Sequence, residues 1–106
     1  MYNLNQLFTS AIWLIKEDKE EAFIREWAAF ANWSVRNKLG SGTPYLLQNI
    51  NNLRYFLSFG PWPDLATIEK WRQTKEFQTF VKKVKDLCEK FDPYTLKVVG
   101  LGREKK

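Results

Sequence analysis

The sequence predicts a single two-layer α+β domain, ordered β-α-β-β-α-β, that covers the second face of its sheet with another copy of the chain. Three observations predict it. Two segments carry apolar residues at helical spacing, short apolar runs of strand length surround them, and those runs are apolar on both parities. At 106 residues there is room for one domain and one core, spanning about residues 8 to 100, with a basic tail over 101–106.

Phe8 to Lys16 reads as the first strand, with Trp13, Leu14 and Ile15 at its centre. Asp18 and Glu21 have the spacing of a capping box, which predicts that a helix opens there and runs to about Asn37. Phe23, Ile24, Trp27, Phe30, Ala31 and Ser34 fall on one face of it. Gly40-Ser41-Gly42-Thr43-Pro44 ends the helix and turns the chain. Tyr45 to Ile50 and Leu53 to Phe59 read as the second and third strands, joined by a turn at Asn51-Asn52, where Asn tolerates the positive φ of a tight hairpin. Gly60-Pro61-Trp62-Pro63 is expected to break the third strand. Asp64 caps a short helix from Leu65 to Trp71, and Thr74 caps the last helix. Its stripe is Phe77, Phe80, Val81, Val84, Leu87, Cys88 and Phe91; Asp92-Pro93 is expected to stop it, leaving Tyr94 to Val99 as the fourth strand.

An antiparallel sheet with both main helices on one face should alternate apolar and polar if its other face meets water. These strands do not. In the first, Phe8, Ile12 and Leu14 share one parity while Ala11, Trp13 and Ile15 share the other; in the third, Tyr55, Leu57 and Phe59 oppose Arg54, Phe56 and Ser58. A homodimer is the simplest way to cover the second face. The high aromatic fraction of 16%, with five Trp, four Tyr and eight Phe, points the same way, because aromatics line interfaces and ligand pockets as well as cores.

Composition excludes several chemistries. With no histidine there is no Ser-His or Cys-His nucleophile pair, no usual zinc site and no histidine-ligated haem. The single cysteine, Cys88, rules out an internal disulfide framework and fits a packed thiol in a reducing cytoplasm. No secretory signal is recognisable near Leu7 to Ile15, and no run approaches the roughly 20 apolar residues of a membrane span. The expectation is a cytoplasmic protein without a membrane partner. The net charge of +5 comes largely from Arg103, Lys105 and Lys106 and from Lys82, Lys83, Lys85 and Lys90, interleaved with Asp86, Glu89 and Glu104. That pattern reads as a solvated face rather than a nucleic-acid surface.

Tyr55 to Phe80 resembles the antibiotic biosynthesis monooxygenase family, dimeric α/β barrel proteins of the ferredoxin-like type. The resemblance rests on the hydrophobic third strand, the turn Gly60-Pro61-Trp62-Pro63-Asp64-Leu65, the helix ending Glu69-Lys70-Trp71 and the helix start Thr74-Lys75-Glu76-Phe77-Gln78-Thr79-Phe80. It implies a ferredoxin-like βαββαβ sandwich and a homodimer. The haem-degrading branch of that family uses an Asn on the first strand, a Trp closing the short helix and a His ten residues later. Trp71 matches the Trp, but Val81 stands at the His position and Ala11 close to the Asn position, so haem degradation is not expected. The chain is more similar to cofactor-independent members, in which an enclosed apolar pocket lets an electron-rich phenol or quinol react with oxygen. That resemblance implies a small aromatic substrate, no cofactor and no metal.

Trp13, Trp33, Asn49, Trp71 and Phe80 are the candidate substrate-binding residues. Trp71 carries the resemblance and otherwise closes a helix against the core. Trp13 faces either the pocket or the dimer interface, depending on strand register. Trp33 lies off the centre of its helix stripe, at a pocket border or the dimer rim, whereas Trp27 is central and reads as core. Among polar groups, Asn49, Arg54, Tyr45 and Tyr55 are available, but no spacing ties them into a base and a donor, and sheet hydrogen bonding or dimer contact is the favoured role for each. No catalytic residue is assigned. Two other readings stand beside the oxygenase. One is a catalytically inactive structural or regulatory dimer. The other is an RNA-binding domain of the same strand order, with Phe56 and Phe59 at its aromatic positions but without the basic and small residues of that motif.

Overall fold

A computed structural model describes residues 2–37 and 39–103. The elements are β1 (Leu7–Ile15), α1 (Glu20–Arg36), β2 (Tyr45–Asn49), β3 (Asn52–Trp62), α2 (Leu65–Arg72), α3 (Lys75–Lys85) and β4 (Cys88–Lys97). The four strands form one antiparallel sheet in the order β2-β3-β1-β4. This is the predicted α+β, ferredoxin-like order, with the helices packed on one face. Residues 104–106 of the predicted basic tail lie outside the described residues.

Register settles the faces of the sheet. Trp13 pairs with Phe56 of β3 and Phe91 of β4, so these three form one row across the sheet. That row faces the helices, where Ala11, Trp13, Ile15, Phe23, Phe56, Phe80 and Val84 form the buried core. Trp13 stacks on Phe91 with ring centroids 4.4 Å apart, and Phe23 of α1 packs on both Trp13 and Phe56. The opposite face carries the other parity. Tyr45, Leu47, Tyr55, Leu57, Tyr94 and Leu96 lie exposed on it, Tyr45 at 53% and Leu96 at 50%.

Two helix caps are as the sequence predicts. The Asp64 carboxylate accepts from the Thr67 amide at 2.7 Å and the Thr74 hydroxyl from the Phe77 amide at 3.1 Å. The α1 start differs. Asp18 adopts φ 67° in the β1–α1 turn, and Lys19, the residue before the helix, makes no side-chain cap bond. Asp18 and Glu21 therefore form no capping box; Asp is one of the few residues that enters the left-handed region readily.

Both strands next to a proline are longer than expected. β3 continues through Gly60-Pro61 to Trp62, because β2 begins only opposite Phe59 and offers nothing for a Pro61 N–H to bond. The Pro61 carbonyl, on that same side, accepts from the Ser41 amide at 3.0 Å. Gly60 is needed at this point, since a Cβ there would lie 2.9 Å from Pro44 Cβ. Likewise α3 stops at Lys85, not at Asp92-Pro93 as expected. A tight turn closes it, with the Leu87 amide donating to the Val84 carbonyl at 2.9 Å, and β4 begins at Cys88. Pro93 sits within β4, which as an edge strand has one side free of ladder bonds. Cys88 and Phe91 thus belong to a strand, as does Lys90, which pairs with Asp92 rather than joining the exposed lysines of α3.

Cys88 is half-buried, and burial pushes its thiol from the ordinary 9.0 up to about 11. At pH 8 the folded chain therefore presents about 100-fold less thiolate than an unperturbed thiol would. Iodoacetamide labelling at pH 8 should accordingly be slow in the folded protein and accelerate once urea unfolds it; equal rates would contradict this placement.

Candidate functional site

The large row Phe56–Trp13–Phe91 is followed along the sheet by two rows of small side chains: Ser58–Ala11–Pro93, then Gly60–Thr9–Thr95. The helices bridge this depression instead of filling it, because the residues that face it are large rings held on one another. Phe30 of α1 stacks on Phe80 at 4.4 Å and on Trp71 at 5.7 Å, and Trp71 meets Trp62 at 4.7 Å and Phe77 at 4.7 Å. The result is a cavity of about 110 Å³ between sheet and helices. It reaches the surface beside Val35, Gly42 and Pro93, which line it and are exposed.

Four tryptophans, Trp13, Trp27, Trp62 and Trp71, line the cavity, and an indole N–H needs an acceptor once buried. For three of them a hydroxyl supplies it. Trp13 Nε1 donates to Ser58 Oγ at 3.0 Å, Trp62 Nε1 to Thr9 Oγ1 at 2.7 Å, and Trp71 Nε1 to Ser34 Oγ at 3.0 Å. Ser34 spends its own proton on the Phe30 carbonyl at 3.0 Å. The Ser58 and Thr9 hydroxyls have no acceptor for theirs among the described residues, so each retains a donor at the cavity wall.

Arg72 follows Trp71 at the end of α2 and lines the same cavity. Its Nη2 donates to Thr95 Oγ1 at 2.8 Å, which holds the guanidinium across the outermost small row. Among the described residues the lining contains no carboxylate, lysine or cysteine. Among the described residues, no cluster of His, Cys, Asp or Glu is arranged to hold a metal ion, and no helix is long and apolar enough to cross a membrane.

Of the five candidate residues, the structure brings Trp13, Trp71 and Phe80 together on the cavity wall. Trp33 is one layer out. It stacks on the far side of Phe30 at 5.9 Å and borders a shallow groove of about 390 Å³ between α1 and α3. Asn49 lies at the β2–β3 hairpin, exposed, with its Oδ1 accepting from the Asn51 amide at 2.8 Å. Arg54 is likewise at the other end of the sheet, donating to the Ile15 carbonyl at 2.7 Å and paired with Glu89. Tyr45 and Tyr55 are on the face away from the helices.

Thr9, Ser34, Ser58, Trp62 and Arg72 were not among the candidates. The signal for Ser58 was the parity Phe56-Ser58-Gly60-Trp62, which becomes visible only when β3 is carried through Pro61.

Replacing Ser58 with Ala should leave the buried Trp13 N–H without an acceptor. The expected cost is about 1–3 kcal/mol, read as a lower urea midpoint at unchanged slope. An unchanged midpoint would show that the pair contributes nothing.

A sequence model described as antibiotic biosynthesis monooxygenase matches residues 10–83, more than half of the chain. Among solved structures, protein SO0527 from Shewanella oneidensis is similar at TM-score 0.77 and 24% identity, over 90% of this chain and 92% of that one. PA3566 from Pseudomonas aeruginosa is similar at TM-score 0.77 and 22% identity, over 94% of this chain and 100% of that one. A solved antibiotic biosynthesis monooxygenase is similar at TM-score 0.74 and 16% identity, over 90% and 98% of the two chains. No curated protein matches the sequence. The sequence match and the cavity's place between sheet and helices lead to one conclusion: the chain belongs to the antibiotic biosynthesis monooxygenase family.

Proposed function

We propose that the chain is a homodimeric, small-molecule-binding member of this family that acts as a cofactor-independent monooxygenase on a phenol- or quinol-like aromatic substrate. The observation that carries this reading is the cavity, with aromatic walls and hydrogen-bond donors as its spare polar groups. Aromatic walls suit an aromatic ring and keep water away from it. Donors favour the ionised form of a phenol, and ionisation is what makes such a ring electron-rich enough to react with oxygen. The reaction balances without another reductant: a quinol and O2 give a hydroxyquinone and water. One oxygen atom bonds to a ring carbon, and the other leaves as water with the ring's hydrogens.

The cavity's volume sets the scale of the substrate. An apolar cavity of about 150 Å³ accommodates a benzene ring, so about 110 Å³ with an open mouth suits a single ring. A fused polycycle needs the walls to move. Haem is disfavoured by chemistry as well as size, since the chain has no histidine and Val81 occupies the wall where the haem-degrading branch has its ligand.

The homodimer is supported by the sheet face that the helices leave uncovered. Leu47, Leu57, Tyr94 and Leu96 are too large and too close together for a face that meets only water.

Oxygen uptake should accompany addition of single-ring quinols, together with a change in Trp fluorescence. Ala31→Leu, which fills the cavity from α1, should abolish both while the fold stays intact by circular dichroism. Binding without oxygen uptake would leave a binding protein in place of an oxygenase, and no binding by any quinol would sink the reading altogether.

Light scattering after gel filtration should give twice the 12.6 kDa chain mass. Leu57→Lys on the uncovered face should shift it to the monomer. A monomeric parent protein would refute the homodimer.

A further inference from the structure

Arg72 is set apart from the other charged groups of this chain by its place at the cavity, not by its lack of an acidic partner among the described residues. Its one side-chain bond is to the neutral Thr95 hydroxyl. Among the described residues it is the only cation lining the cavity, and no anion lines the cavity with it.

A guanidinium has five N–H donors in a planar fork suited to a carboxylate. One of them is fixed by Thr95 at 2.8 Å, which orients the fork and leaves the others for a ligand. Further in, Thr9 and Ser58 hold their hydroxyl oxygens against Trp62 and Trp13 and keep their protons free. From the mouth inwards the site therefore offers a cation, then neutral donors, between aromatic walls.

We propose, building on the oxygenase reading, that the substrate is a single-ring hydroxylated aromatic acid whose carboxylate pairs with Arg72 at the mouth while its ring lies in the cavity. The ring's hydroxyl or phenolate oxygen then accepts from Ser58 or Thr9. A neutral quinol fills the apolar part but leaves Arg72 unpaired. Arg72 is a specificity-determining residue in this arrangement, and Thr95 is a positioning residue that acts through it. Because the guanidinium is half-exposed, its preference for an anion is screened by salt.

The test compares 2,5-dihydroxybenzoate with 2,5-dihydroxybenzamide, which has a similar ring and hydroxyls without the charge. Affinities are read by calorimetry and Trp fluorescence on the full chain. The acid is expected to bind at least about tenfold more tightly at low salt, with the gap narrowing as salt is raised. Arg72→Gln should lower the acid far more than the amide and close the gap between them, and Thr95→Val should reduce the gap in part. Equal binding of acid and amide by the parent protein would overturn the acid preference while leaving the cavity reading intact. Binding of neither would overturn both. A gap that persists in Arg72→Gln would overturn the role of Arg72, and a gap insensitive to salt would do so even if that variant did not fold.

Discussion

Trp13 is a wide ring at the centre of the central strand, and it is 3% exposed. Its apolar body has to be packed on both sides and its single N–H has to be bonded, and the sheet meets the two needs in adjacent rows. Phe56 and Phe91 flank the ring in its own row; Ser58, in the next row, accepts the N–H. A large side chain at position 58 would remove the acceptor. The demand of one buried indole thus makes one end of the sheet dense and helps keep the other end shallow, where Ala11, Gly60 and Thr9 continue the pattern.

The helices preserve that depression because their own rings brace one another. Phe30 lies between Trp33 outside and Phe80 and Trp71 inside, and parallel stacking at these positions resists collapse into the space below. Trp71 and Trp62 are tied in addition by hydroxyl acceptors on α1 and β1. The ring walls therefore complete their polar bonding within the protein. No buried side-chain nitrogen or oxygen among the described residues lacks a partner.

Much of the fold was legible because its signals are local. The α1 stripe, the Asp64 and Thr74 caps and the existence of the β2–β3 hairpin each depend on a few neighbouring residues. The hairpin itself turns at Ile50-Asn51, one residue earlier than Asn51-Asn52, and without the expected positive φ. The errors arose where a tertiary neighbour decides. Pro61 looks like a strand breaker and Pro93 like a helix stop, until β2 is seen to begin only opposite Phe59 and β4 to be an edge. Leu87, Cys88 and Phe91 continue the helical spacing of Phe80 and Val84 by coincidence, and nothing local marks the turn after Lys85. The same division applies to the site. Trp71 and Phe80 follow from helix position and resemblance, and Trp13 needed only its face to be settled. Ser58 and Thr9 matter through residues about 45 and 53 positions away in sequence, and no pattern of spacing announces such a pair.

A site with donors and no lining carboxylate constrains the proposed chemistry in one direction. Deprotonation of a phenol commonly enlists a base, and the described residues of the cavity lining include no carboxylate or lysine to serve as one. The alternative is to stabilise the anion. A phenolate that accepts from Ser58 or Thr9, away from bulk water, is favoured by hydrogen bonding. The aromatic walls act in both directions. They exclude competing water, which strengthens those bonds, but they also raise the cost of an ion that lacks its donors. Only a ligand that places its oxygen against the hydroxyls gains more than it loses. Selection for the reactive ionised form and selection for the correctly seated ring then become the same requirement, set by the small rows of the sheet.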